Sequence, residues 1–208
     1  MDGQDYLNQI SATTAPSGQP SKFNFKNLVS SKLFRIIGAG VILIILLIIV
    51  GNIISSASNR ARNLAEQLEL RLTNITSMLE EESNDYLKDT NLRSYNTALI
   101  GILKNTDTQL TDFLTEAYGF STKNIPADIQ TSEADYIEVL KAELEEARLN
   151  GLYDRTYVNS MSTEINLIIA LEENILDRTS NETLTDILNQ SISSLTSILE
   201  SYDSFNNS

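Results

Sequence analysis

Carboxylates are the side chains here best placed to do chemistry. They fall in groups: Glu80-Glu81-Glu82, Glu143 with Glu145 and Glu146, and Glu172-Glu173. Inward-facing glutamates on facing helices can hold paired metal ions, but those sites add histidines in a Glu-x-x-His spacing. This chain has no histidine, cysteine or tryptophan. Those absences exclude Cys/His zinc sites, thiol nucleophiles, disulfide frameworks and every histidine-dependent triad or proton shuttle. Adjacent glutamates also point to different faces of a helix, so the groups read as solvated acidic faces. An oxygen-only Ca²⁺ or Mg²⁺ site is the cation chemistry left open, and no EF-hand spacing is present.

Other chemistry finds no support in the motifs. There is no Walker sequence, GxGxxG, GxSxG or HExxH. A Ser–Lys or carboxylate-pair hydrolase has no cleft signal to stand on. With 15 basic and 28 acidic side chains the formal net charge is −13, which argues against nucleic acid as a partner, because phosphates need a clustered basic face. No catalytic, cofactor-binding or metal-ligating residue is assigned. Tyr95, Tyr118, Tyr153, Tyr157 and Tyr202 fall on or beside apolar stripes, where burial with the hydroxyl at the rim suits them better than a cofactor role. Asn74, Asn181 and Asn189 open N-x-Ser/Thr triplets, which chance alone supplies in a chain rich in these residues.

The elements that carry these residues begin with an apolar run, Ile36 to Ile54, without a charged side chain. As a helix it spans roughly 28 Å, close to the hydrocarbon thickness of a bilayer. Lys22, Lys26, Lys32 and Arg35 precede it and only Arg60 and Arg62 follow closely, which orients the N-terminus to the cytoplasm. Ser55 and Ala57 resemble a signal-peptidase site, but the run is longer than a signal h-region and has 35 residues before it. An uncleaved signal anchor is therefore expected over residues 33–56. Residues 1–32, with the Ser/Thr/Pro/Gly stretch Ser11 to Ser21, read as a disordered cytoplasmic tail.

After the anchor the apolar spacing is helical throughout. One stripe runs Leu64, Leu68, Leu72, Ile75, Leu79; a second runs from Leu92 to Leu114 and ends at Gly119, suited to a left-handed cap. The turn between them is expected near Glu82–Thr90. Beyond Pro126, Ser132 and Asp135 suggest a capping box opening a short helix with Ile137, Leu140, Leu144 and Ala147, closed by Asn150-Gly151. A fourth helix starts near Asp154 and carries Tyr157, Met161, Ile165, Ile168 and Ile175. A last one uses Leu184, Leu188, Leu195 and Tyr202. The expected fold is all-α: one transmembrane helix, then an antiparallel bundle of four long helices plus a short crossover helix over residues 57–203, with 204–208 disordered.

The order of motifs adds a family. Leu92–Leu110, then Ala117-Tyr118-Gly119, a Pro-containing link, Tyr153–Met161 (YDRTYVNSM) and a final Leu/Ile-rich helix are similar to the bacterial domain of unknown function family 4142. The resemblance covers about residues 60–203 and implies a ferritin-like four-helix bundle in an exported or membrane-attached protein. Family members carry a histidine after an acidic residue in two long helices as candidate metal ligands. Here those positions fall near Asn105 or Thr106 and at Ile165, after Glu164. None of these can replace imidazole, so the resemblance implies the fold without the metal chemistry.

The expected function is a non-enzymatic single-pass membrane protein displaying an acidic helical bundle outside the cytoplasmic membrane, in a structural or protein-interaction role. Its partners would be the bilayer, through one helix, and another protein or a second copy of itself. A ligand- or cation-binding sensor or carrier bundle working with a partner subunit, and a degenerate ferritin-like metal protein, are the alternatives.

Overall fold

The computed structural model describes residues 57–206, and every element there is helical. The expected tail and transmembrane helix lie outside the described residues, among which no helix is long and apolar enough to cross a membrane. The helices are α1 (Ala57–Tyr86), α2 (Thr90–Tyr118), α3 (Ala127–Leu149), α4 (Tyr153–Leu176) and α5 (Glu182–Asn206), with a 3₁₀ turn at Thr122–Asn124.

The stripes read from the sequence are the buried faces. Leu64, Leu68, Leu72, Ile75 and Leu79 are all buried on α1, as are Leu92, Leu99, Leu103, Leu110 and Leu114 on α2. Each such side chain contributes about 1.5–3 kcal/mol on leaving water. Ile165 is buried among them, so the expected phase of α4 is correct.

α1 packs on α2 and α4, and α5 packs on the same two. The four make a ring in which neighbours are antiparallel: Thr73 meets Asp107 across α1 and α2, and Tyr95 and Phe113 of α2 lie level with Tyr202 and Ile187 of α5. α2 and α4 therefore run the same way, and α3 returns the chain between them. It lies outside the ring against α1 and α4, parallel to α1, as the pairs Arg71–Glu133 and Glu81–Lys141 show.

Two features of the crossover differ from expectation. α3 has 23 residues, nearly the length of α4, so it is not short. It begins at Ala127, directly after Pro126, whose ring pre-sets φ and needs no N–H there. The Ser132–Asp135 spacing falls inside the helix. At the other terminus α5 continues through Ser204 and Phe205 to Asn206, with Phe205 packed on the core, so residues 204–206 are helical and the rest of the expected disordered end lies outside the described residues.

Turn chemistry fixes the joints. Asp89 caps α2, accepting from the Asn91 and Leu92 N–H groups at 2.7 and 3.0 Å. Gly119 ends α2 at φ 61° and Gly151 ends α3 at φ 71°, a conformation that side-chain-bearing residues adopt at a cost. The Asp154 carboxylate, at the start of α4, accepts from the Lys88 and Asp89 N–H groups. It thereby ties the α1–α2 turn to α4.

At that end Tyr86, Tyr95, Tyr153, Tyr157 and Tyr202 form a chain of ring contacts with centroids 5.7–6.4 Å apart. Tyr118 is 36% exposed, but Tyr157 is fully buried and its hydroxyl donates to Oδ1 of buried Asn96. The rim placement expected for the tyrosine hydroxyls therefore fails at Tyr157. Tyr157→Phe should cost about 1 kcal/mol, because it removes a buried side-chain hydrogen bond to Asn96. Chemical denaturation of the full-length chain measures this.

Candidate functional site

The polar chemistry of the bundle lies inside it, and apart from Glu172 at residues the sequence grouping does not select. Arg71, mid-way along α1, is 4% exposed. Its Nε and Nη2 reach the two Glu133 carboxylate oxygens of α3 at 2.7 and 2.9 Å, and its Nη1 reaches Glu164 Oε2 of α4 at 3.1 Å. The guanidinium lies 4.5 Å from the Tyr136 ring centroid, a favourable cation–π placement. The Tyr136 hydroxyl donates to Glu164 Oε1. One cation thus binds three helices through a bidentate fork and a third bond.

Burial sets the electrostatics of this group. It pushes the Glu164 carboxyl up, against the pull of Arg71 and the Tyr136 hydroxyl. It also works against the Arg71 charge, but Glu133 and Glu164 raise that guanidinium above its ordinary value. Glu164 is the acidic residue beside Ile165. Its oxygens are engaged by Arg71 and Tyr136, while Ile165 is core, Thr106 is buried and Asn105 is exposed.

A second polar group sits between α1 and α2. Glu69 is 4% exposed, and its Oε2 has no hydrogen-bond partner. Its Oε1 accepts from Thr111 Oγ1 at 3.5 Å. Four residues along each helix the pattern inverts: Thr73 Oγ1 lies 3.2 Å from both Asp107 carboxylate oxygens. Burial, then the Asp107 charge, pushes the Glu69 carboxyl up to about 7. Burial likewise raises Asp107.

The third is Glu172 on α4. The solvated face expected for Glu172 and Glu173 holds for only one of them: Glu172 is fully buried, while Glu173 is exposed. A helix turn of 100° per residue separates the two, and 172 falls on the α5 side. Ser191 of α5 lies beside its carboxyl, which burial pushes up to about 8.

The other glutamates of those groups, Glu143 apart, behave as surface groups. Glu80 and Glu81 are exposed and pair with Lys104 and Lys141. Glu145 pairs with Arg148, and Glu146 is exposed. Glu143 is half-buried and accepts from Ser160 at 3.3 Å. The side chain of Glu82 lies outside the described residues. Asn181 caps α5 through its Oδ1, Asn74 is half-buried and Asn189 is exposed. Among the described residues no three Asp, Glu, His or Cys side chains gather around one point.

An open cleft of about 620 Å³ lies between the end of α2 and the start of α5, lined by Gln109, Asp112, Phe113, Glu116, Thr183 and Ile187. Its charged lining is acidic. Arg71, Glu133 and Glu164 are not legible as a group in the sequence, because they lie 62 and 93 residues apart. The one local sign was a charged residue amid the α1 apolar face. The chain matches no protein-family model, no curated protein and no solved structure.

Proposed function

We propose that this chain is a non-enzymatic, single-pass membrane protein that displays an acidic helical bundle at the cell envelope, as a structural or protein-interaction module. The observation that carries this reading is the use made of Arg71, Glu133, Glu164 and Tyr136: these buried polar groups brace three helices against one another. Rigid bracing suits a display scaffold. Leu149 and Leu152, 71% and 58% exposed around the α3–α4 turn, supply apolar surface for a protein contact. The charge-flanked run Ile36 to Ile54 supports the anchor and the inside N-terminus.

The finer description, a ferritin-like bundle akin to family 4142, draws support from the parallel α2 and α4 joined by a returning helix, and from the Tyr153–Met161 start of α4. Loss of the histidines, with Glu164 committed to Arg71, makes the relation one of fold without metal chemistry.

Protease treatment of intact cells tests the topology. A helical fragment of about residues 58–208 should be released. Protection of that region, with cleavage only after lysis, would reverse the orientation and remove the envelope role.

A further inference from the structure

We propose that Glu69, Thr73, Asp107 and Thr111 form a divalent-cation site on the α1–α2 face, with calcium as its preferred ion. Glu69 faces Thr111 and, one helix turn on, Thr73 faces Asp107, an arrangement with local two-fold symmetry. An acid followed four residues later by a threonine occurs on each helix, and the antiparallel packing sets acid against threonine in both directions. Two carboxylates and two hydroxyls therefore meet across one interface, an all-oxygen donor set of the kind hard cations take.

The charges at this place are unbalanced. Among the described residues neither Glu69 nor Asp107 forms an ion pair. The basic side chains nearest in sequence are committed elsewhere: Arg62 to Glu66, Arg71 to Glu133 and Glu164, Lys104 to Glu80. Glu69 is nine-tenths buried and holds one carboxylate oxygen, Oε2, with no hydrogen-bond partner. A buried anion without a counter-charge is costly, and a second carboxylate beside it makes it more so. One divalent ion between the helices would balance both charges and give the buried Glu69 carboxylate a partner beyond Thr111. Asp107, Thr73 and Thr111 are only half-buried, which leaves a path from solvent and room for water ligands. Four side-chain donors on two helices, completed by water, suit the larger and more variable coordination of Ca²⁺ over the strict octahedron of Mg²⁺. The site stands whether or not the bundle is anchored in a membrane.

Equilibrium dialysis of the full-length chain against ⁴⁵Ca²⁺, with thermal melts in CaCl₂, MgCl₂ or NaCl at matched ionic strength, tests the inference. Saturable uptake of about one calcium per chain is expected, with Kd in the range of about 10⁻⁴–10⁻³ M typical of extracellular modules. Tm should rise by a few degrees at about 10 mM CaCl₂, and less in MgCl₂. Glu69→Gln and Asp107→Asn should each raise the calcium-free Tm and weaken calcium by about tenfold or more. Absence of saturable uptake by the wild-type chain would overturn the site. So would an equal Tm response in wild type and both variants, which would mark general screening of an acidic protein. If either variant fails to fold, the wild-type uptake curve still decides.

Discussion

Arg71→Ala lowers the stability of the bundle by about 3–5 kcal/mol, the usual cost of removing one partner from a buried ionic group. Glu133 and Glu164 would be left buried together with no cation. Burial already favours protonation of Glu164, so the variant must take up protons, open the α1–α3–α4 interface or admit water. Arg71→Lys should recover only part of the loss, because an ammonium cannot reproduce the fork to Glu133 or stack on Tyr136. Replacing the whole group with apolar residues of similar volume should come close to wild-type stability, since desolvation of the ions offsets much of their attraction. Denaturant titration of the three full-length variants measures the series. A loss below about 1 kcal/mol for Arg71→Ala would mean that the network is solvated in solution.

Glu172→Gln should make the bundle more stable by about 4 kcal/mol at pH 8 and by only about 1 kcal/mol at pH 5. The sign follows from the proton count. The folded chain holds a proton on Glu172 up to about pH 8, whereas the unfolded chain releases it near pH 4.3. Between those values the native state binds more protons, so stability falls as pH rises. The glutamine keeps the shape and stays neutral throughout. Other buried acids slope the same way, Glu69 among them, so the informative quantity is the difference between wild type and variant across pH 5–8. Parallel curves would place Glu172 in contact with water and contradict its burial.

The apolar framework was legible because helix periodicity is a local property. The five stripes, the glycine caps at 119 and 151 and the core position of Ile165 follow from spacing within one or two turns. The polar interior was not legible, because its partners come from distant segments. Glu133 lies on the same face of α3 as Ile137, Leu140 and Leu144, yet nothing near it in sequence announces Arg71. Glu172 is hidden for a related reason: a run of two acids looks solvated unless the helix phase is applied to each residue separately. α3 starts before its capping-box-like Ser132–Asp135 spacing because Pro126 can itself begin a helix.

The position of α3 has a consequence for how the protein breathes. α1 with α2, and α4 with α5, are sequence-adjacent hairpins that share one core. α3 adds a single buried edge to that core, with a largely exposed outer surface. It is the unit whose detachment exposes the least apolar area, so its amides should exchange with solvent deuterium through a partial opening below the global unfolding energy. The α1 and α4 amides around Leu72 and Ile165 should exchange only on global unfolding. The returning helix then acts as a removable strap on a preassembled ring, held by its apolar edge and pinned at one point by Arg71.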